Sequence, residues 1–116
     1  MPELERIAID LRIRYKADID YTFFDISQID SHEHFFSAVI KKLGSVFGIL
    51  MAVGLIDKSS HEQTIKANFS GPVSILDLCA QYLETKKNGF IIGLSSVAGD
   101  RGRKPNYVYG ASKSAL

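Results

Sequence analysis

The sequence has little of several features that mark particular protein classes. Of its 116 residues only Cys79 is a cysteine, so the chain can form no internal disulfide and suits a reducing compartment. Its 14 lysines and arginines nearly balance its 13 aspartates and glutamates, which leaves no basic field to bind nucleic acid. The longest apolar stretch, residues 46–56, is far shorter than the roughly 20 residues of a membrane helix. We therefore predict a cytoplasmic, water-soluble protein without a membrane span.

The composition that remains is typical of one globular domain, residues 1–116, with 46% hydrophobic and 23% charged residues. Apolar residues at helical spacing predict a first helix from Pro2 to Tyr15. Alternating side chains predict a strand from Ile19 to Phe24. Asp30, with Glu33 three residues later, resembles a capping box that begins a second helix, which Gly44 ends.

The rest of the chain continues this alternation of strands and helices. Residues 46–53 form an apolar run typical of a strand buried on both faces of a parallel sheet. Residues 60–86 read as one long helical stretch, in which Pro72 introduces a kink or a break. A further strand at residues 90–94 and a final helix capped by Asn106 complete the pattern. Such an order predicts an α/β fold with a parallel sheet.

The strongest candidates for chemistry are Tyr109 and Lys113. Their spacing of four residues places both on one face of a helix, whereas Tyr107 lies on a different face. A free tyrosine has a pKa near 10, so it exchanges protons poorly at neutral pH. A nearby ammonium group favours the phenolate form, and such a tyrosine can donate a proton to a carbonyl or accept one from an alcohol.

A Tyr-x-x-x-Lys pair by itself is weak evidence, because most isolated matches are a surface tyrosine beside a solvated lysine. Ser96 strengthens the pair, since it follows a predicted strand thirteen residues before Tyr109. Its hydroxyl could donate a hydrogen bond to the same carbonyl oxygen and stabilise the developing negative charge. The alternative for Ser96 is a simple turn residue.

Together these residues resemble a known active-site segment. Residues 95–99, Ser-Ser-Val-Ala-Gly, and residues 106–113, Asn-Tyr-Val-Tyr-Gly-Ala-Ser-Lys, are similar to those of the short-chain dehydrogenase/reductase family. Asn68 matches the family's helix asparagine. The resemblance runs from about Leu4 to Leu116 and implies part of a Rossmann-like, doubly wound parallel sheet with flanking helices. Residues 100–103, Asp-Arg-Gly-Arg, resemble a subgroup that includes reductases of keto-sugars linked to polyprenyl phosphate.

The resemblance also implies an activity, in which an NAD(P)-dependent oxidoreductase interconverts a small-molecule alcohol and a carbonyl. Tyr109 would be the general acid or base, and Lys113 would favour its phenolate and hold the nicotinamide ribose. Ser96 would position the substrate carbonyl. Asn68 would support a water-mediated proton path to Lys113.

Further positions match the family's contacts with its cofactor, NAD or NADP. Asp25 and Ile26 match the place where the family contacts the adenine ring, and the backbone at Val53 and Gly54 would lie against the cofactor. Members commonly form homo-oligomers. One motif departs from the family, because Asn-Asn-Ala-Gly is replaced here by Met-Ala-Val-Gly at residues 51–54.

A second departure is larger, because no G-x-x-x-G-x-G turn for binding pyrophosphate precedes Asp25. We expect the chain to begin at the family's second helix and to stop within the helix that bears Lys113. The first two strands and the C-terminal strands would then be lacking. In the order 3-2-1-4-5-6, residues 19–24 and 46–53 would be strands three and four, which either pair directly or leave open edges. The alternative function is therefore a truncated, non-catalytic remnant that binds no cofactor alone.

The remaining candidates are weaker. The three histidines, His32, His34 and His61, lack metal-ligand spacing, so we predict that they are solvated and form no metal site. We expect Cys79 to be a buried small residue. The paired phenylalanines at 23–24 and 35–36 are predicted to belong to the core.

Overall fold

A computed structural model describes residues 2–116 and begins with the predicted first helix. Helix α1 spans Pro2–Tyr15, with acidic Glu3 and Glu5 in its first turn and basic Arg12 and Arg14 in its last. These charges oppose the partial charges at the two helix ends. Among these 115 residues no helix is both long and apolar enough to cross a membrane.

The predicted strand at residues 19–24 is wrong, because this segment forms no regular element. An alternating pattern reports which side chains face a core, but a strand also needs a hydrogen-bonded neighbour. Within residues 2–116 the sheet has only two strands, and both lie later in the chain. Phe24 still packs against the core, and its ring centroid lies 4.2 Å from that of Phe35.

Helix α2 spans His32–Leu43 and follows a 3-10 turn at Ile29–Ser31. The predicted capping box is wrong, since Asp30 lies inside this turn and the helix-capping residue Ser31 makes no side-chain cap bond. The predicted C-terminal end is confirmed, because Gly44 follows the helix with a φ of 76°. That conformation is one that side chains with a Cβ rarely adopt.

Two strands form the sheet, as β1 at Gly48–Met51 and β2 at Phe90–Gly93 pair in parallel. Both strands are confirmed, although each is shorter than its predicted range. The expectation that residues 46–53 are buried on both faces is wrong, because Leu50 in β1 is 62% exposed. With two strands the sheet is too narrow for flanking helices to cover both of its faces.

The long helical stretch is continuous and contains a local change of pitch. Helix α3 at His61–Ile65 passes through a π turn at Lys66–Ser70 into helix α4 at Gly71–Lys86. Pro72 has no N–H to donate, and the amide of Gly71 just before it bonds the carbonyl of Lys66, five residues back. Of the two alternatives for Pro72, the break is wrong, because the helical stretch continues through this residue.

The hydrophobic core lies between the sheet, α2 and α4. Its buried members are Ile26, Met51, Ala67, Ile75 and Cys79, against which Phe24, Phe35 and Phe36 pack. The predicted burial of Cys79 is confirmed, and burial raises the pKa of its thiol. Phe23 was wrongly assigned to the core, since it is 70% exposed. His32 was wrongly predicted to be solvated: its ring is fully buried, and Nδ1 lies 3.0 Å from the Ser74 hydroxyl.

The chain ends in two helices that pack closely together. Helix α5 at Val97–Asp100, which the sequence analysis did not predict, is followed by a 3-10 turn at Lys104–Asn106 and helix α6 at Tyr107–Ala115. A Cβ on Gly110 would lie 2.5 Å from the carbonyl oxygen of Ala98, so only glycine fits at this crossing. Asn106 precedes α6 as predicted but makes no side-chain cap bond.

Candidate active site

Lys113 holds together the carboxyl ends of both strands. Its side chain is buried, with 3% of the residue exposed, and Nζ donates to the carbonyl oxygens of Val53 at 2.8 Å and Leu94 at 3.0 Å. Those two carbonyls follow β1 and β2 respectively. A buried ammonium must find acceptors to offset the loss of water, and the strand ends supply them. Two of its three N–H donors are used in this way.

Asn68 fixes the segment that follows β1. The residue is fully buried in the π turn. Its Nδ2 donates to the carbonyl oxygens of Leu55 at 2.6 Å and Thr64 at 2.7 Å, and its Oδ1 accepts from the amide of Leu55 at 3.0 Å. The side chain thus pairs with the backbone of Leu55 in both directions and ties it to the helical stretch.

Gly54 brings these two side chains to the same place. A Cβ added there would lie 3.5 Å from both Oδ1 of Asn68 and Cε of Lys113. Val53, Gly54, Asn68 and Lys113, which the sequence analysis assigned to one site, therefore form one cluster. The two positions where the family carries asparagines are Met51, which lies in the core, and Ala52. In this chain, without those asparagines, Lys113 bonds the carbonyl oxygen of Val53 in the same segment.

Ser96 occupies the residue before α5, where its Oγ accepts a hydrogen bond from the amide of Ala98 at 3.2 Å. Ser96 therefore acts as a turn residue, which was the alternative that the sequence analysis gave for it. The neighbouring Ser95 donates to the carbonyl oxygen of Lys113 at 2.5 Å. A Cβ on Gly99 would lie 3.0 Å from the amide nitrogen of Ser114, so α5 is in close contact with α6. The loop that contains Ser95 and Ser96 is thus in direct contact with α6, the helix that carries Lys113.

Tyr109 is half-buried, one turn before Lys113 on α6. It lines a pocket of about 270 Å³. The other lining residues are Ile56, Asp57, Lys58, His61, Thr64, Pro105, Asn106, Tyr107 and Val108. Tyr107 is exposed, and its ring meets the ring of His61 edge-on at a centroid distance of 5.6 Å.

Sequence reasoning missed the residues that shape one wall of this pocket. Asp57 accepts hydrogen bonds from the amide and hydroxyl of Ser59, which lower the pKa of its carboxyl. The hydroxyl of Thr64 accepts from the amide of Asp57 at 3.1 Å and donates to its carbonyl oxygen at 3.0 Å. The Asp-x-Ser spacing at 57–59 is the signal that could have indicated this turn.

Asp25 lies in a local turn, and Ile26 belongs to the core against which Val53 packs. Within residues 2–116 no hydrogen bond joins either residue to Lys113 or Asn68. The carboxylate of Asp25 accepts from the hydroxyl of Ser27 at 2.7 Å and from its amide at 2.9 Å, and these bonds lower its pKa. Ile26 is buried in the core, and its carbonyl oxygen closely approaches Gly71. The carboxylate is therefore ionised and held by a local turn.

Sequence comparison places the chain among known oxidoreductases. A family model described as short chain dehydrogenase matches residues 2–116. An uncharacterised oxidoreductase of Streptomyces coelicolor is 28% identical over 123 residues, covering 99% of this chain and 48% of that protein. An uncharacterised oxidoreductase of Mycobacterium tuberculosis is 27% identical over 101 residues, covering 80% of this chain and 41% of that protein.

Solved structures share the fold at low sequence identity. An NAD⁺-bound xylitol dehydrogenase has a TM-score of 0.87 at 18% identity, over 97% of this chain and 46% of that one. A 3-oxoacyl-[acyl-carrier protein] reductase from Brucella melitensis has a TM-score of 0.87 at 17% identity, over 97% of this chain and 51% of that one. The chain thus spans about half the length of the proteins that it matches. The match over residues 2–116, together with the residues of the lysine cluster, shows that the chain belongs to the short-chain dehydrogenase family.

Proposed function

We propose that this chain supplies the proton-transfer part of an NAD(P)-dependent oxidoreductase that interconverts a small-molecule alcohol and a carbonyl. The observation that carries the proposal is the position of Lys113. Its ammonium is buried at the carboxyl ends of β1 and β2, where open α/β sheets place their sites, and it lies one turn from Tyr109.

In this proposal Tyr109 exchanges the proton. Its hydroxyl gives its proton to the carbonyl oxygen in reduction, and its deprotonated oxygen takes the proton of the alcohol in oxidation. Ser96 donates a hydrogen bond to the same oxygen. Asn68 holds the π turn so that a water can relay a proton toward Lys113. A bound nicotinamide would supply or accept the hydride.

The residues present fit one side of such a cofactor. The third N–H of Lys113 remains for ribose hydroxyls, and Gly54 has no Cβ, so the backbone after Val53 is open to close approach. Asp25 and Ile26 would meet the adenine. The 116 residues contain no G-x-x-x-G-x-G turn to bind the pyrophosphate, and nothing in the chain separates NAD from NADP.

The proposal extends to a substrate class and to an assembly state. Residues 100–103 are the basis for one class, keto-sugars linked to polyprenyl phosphate. None of the relatives mentioned above is named for that substrate. Homo-oligomer formation rests on the family resemblance alone.

A second candidate is that the chain on its own is a non-catalytic remnant that binds no cofactor. Two observations favour it: the missing pyrophosphate turn, and the unpaired segment at residues 19–24, which leaves the adenine-side residues Asp25 and Ile26 without a supporting strand. We favour this candidate for the chain acting alone, and the oxidoreductase for a protein in which the rest of the fold is supplied.

Calorimetry separates the two candidates. We expect titration of the isolated chain with NADH or NADPH to show no binding in the micromolar range. Micromolar binding would overturn the second candidate. A chimera in which the Streptomyces coelicolor oxidoreductase supplies the sequence on both sides of the matched region is the matching test of the first. We expect it to oxidise NADH or NADPH in the presence of carbonyl compounds, and a folded chimera that binds the cofactor without turnover would contradict the first candidate.

A further inference from the structure

Two residues that line the pocket beside Tyr109 have side chains without a polar partner among residues 2–116. They are Lys58 and His61, and both are exposed. All four salt bridges of the described residues lie before residue 43, so none of them involves this lysine. Neither side chain takes part in the hydrogen bonds that hold the turn at residues 57–64. An ammonium and an imidazole therefore remain available to a molecule in the pocket.

The backbone beneath Lys58 is fixed on both sides. Before it, the hydroxyl of Thr64 bonds both the amide and the carbonyl oxygen of Asp57. After it, Oγ of Ser60 accepts from the amide of Gln63 at 3.1 Å and caps α3. A position that is already held in the free protein reduces the entropy that is lost when a ligand binds.

The ring of His61 is held in a different way. His61 is the first residue of α3, and its ring meets the ring of Tyr107 edge-on at a centroid distance of 5.6 Å. Tyr107 also lines the pocket, as the first residue of α6. The contact between the two rings therefore places the imidazole at the junction of α3 and α6, the helix that carries Tyr109.

The acidic residues near this turn leave Lys58 unpaired. Asp57 is the only acidic residue among those that line the pocket in the described part of the chain. Its carboxylate accepts from the amide and the hydroxyl of Ser59, so the local turn holds it. Glu62 follows His61 in sequence but lines a separate cavity with Ile65 and Lys66.

Another part of the pocket wall follows a cationic segment. Pro105 and Asn106 line the pocket, and residues 101–104, Arg-Gly-Arg-Lys, come directly before them. The three charged side chains of this segment are exposed. A surface with an excess of one charge raises the local concentration of ligands of the opposite charge. This segment should therefore attract anions toward the pocket.

We propose that Lys58 and His61 bind an anionic group, a carboxylate or a phosphate, on the substrate whose carbonyl meets Tyr109. The ammonium of Lys58 pairs with the anion, and His61 donates an N–H, which both neutral tautomers of imidazole possess. The pocket of about 270 Å³ is small for a ligand pocket, so it suits a compact molecule that carries both groups. The carbonyl part of this inference rests on the proposed function, whereas the anion site does not.

The first test uses the intact chain, with acetate and inorganic phosphate as separate probes. Nuclear magnetic resonance follows the ring protons of His61, which are assigned by their absence in His61→Gln. We expect at least one anion to shift them, and Lys58→Gln to weaken its binding about fivefold. Lys41→Gln, which removes an exposed lysine of α2, is the matched control and should change the affinity by less than about twofold. No shift with either anion, or equal weakening in the two lysine variants, would overturn the proposal.

The second test measures carbonyl reduction by the chimera described above. Two pairs of substrates differ in charge: levulinate with methyl levulinate, and dihydroxyacetone phosphate with dihydroxyacetone. We expect kcat/KM to be about tenfold or more higher for the anionic member of at least one pair, and Lys58→Gln to remove most of this preference by raising KM. The pair that shows the preference distinguishes a carboxylate from a phosphate.

Equal kcat/KM within both pairs, or a preference that Lys58→Gln leaves intact, would overturn the assignment of the anion to the substrate. A folded chimera that binds the cofactor without turnover contradicts the proposed function instead. The titration of the intact chain then decides the anion site, because it involves neither cofactor nor turnover.

Discussion

At the scale of single residues, the site depends on buried polar side chains whose hydrogen bonds go to the backbone. Lys113 and Asn68 each bond main-chain atoms of the segment after β1. The sequence predicted that these two residues belong to one site, because their spacing and motifs resemble a family. It could not predict the partners, because the carbonyls of Val53 and Leu94 approach Lys113 only after both strands have paired.

Replacement of Asn68 should show how much its hydrogen bonds contribute to the free energy of unfolding. Asn68→Ala removes three hydrogen bonds of a fully buried side chain to the backbone of Leu55 and Thr64, and we expect the free energy of unfolding to fall by about 2–4 kcal/mol. Urea denaturation measures the change. Asn106→Ala is the matched control, since Asn106 makes no cap bond, and should cost less than about 0.5 kcal/mol. Equal losses in the two variants would show that the Asn68 bonds contribute little.

Asp57 predicts a dependence of stability on pH. Bonds from Ser59 lower the pKa of its carboxyl below the ordinary 3.8, so the folded state favours the ionised form. The contribution is therefore present above about pH 4 and is lost as the pH falls through the lowered value. The melting temperature of the chain should fall more steeply between about pH 4 and pH 2 than that of Asp57→Asn. Parallel curves for the two proteins would show that Asp57 does not contribute to this pH dependence. Asp25 lies in the same kind of turn, and its effect on stability should add to that of Asp57.

At the scale of elements, the sequence predicted those whose pattern is local. Helices α1 and α2 follow from periodicity, both strands follow from continuous apolar runs, and Gly44 marks a helix end correctly. Helix α5 was missed because its four residues are too few to show a period; it begins after Ser96, whose Oγ accepts a hydrogen bond from the amide of Ala98. The strand at residues 19–24 was wrong for the opposite reason, since its pattern is present but its neighbour is not.

Where α5 and α6 cross, a Gly→Ala change should have the opposite effect on stability from the usual one. Gly→Ala inside a helix normally stabilises it by up to about 1 kcal/mol. At Gly110 the added methyl would lie 2.5 Å from the carbonyl oxygen of Ala98, so we expect Gly110→Ala to lower the free energy of unfolding by about 1–3 kcal/mol. Gly102→Ala, where no atom lies within 4 Å, is the control and should change it by less than about 0.5 kcal/mol. Stabilisation by Gly110→Ala would contradict the close packing of these helices.

At the scale of the whole molecule, the lysine cluster is more complete than the domain around it. Gly54 lies beside both Lys113 and Asn68, yet among residues 2–116 the sheet has two strands and leaves Leu50 exposed. Open edges were one of the two alternatives that the sequence left, and the absence of the pyrophosphate turn is a feature of the sequence itself. It could not predict that β1 pairs only with β2, because periodicity within a strand does not identify its neighbours. A test of the catalytic claim therefore needs the rest of the fold, which the chimera supplies.

Turnover of that chimera with Tyr109→Phe tests the catalytic claim most directly. The variant removes one hydroxyl, so we expect NADH or NADPH to bind as before while carbonyl-dependent oxidation falls by roughly 100-fold or more. Tyr107→Phe is the matched control, because Tyr107 lies on a different face of α6 from Lys113, and it should retain turnover to within a few-fold. Full turnover in Tyr109→Phe, or an equal loss in both variants, would contradict the assignment of Tyr109 as the residue that exchanges the proton.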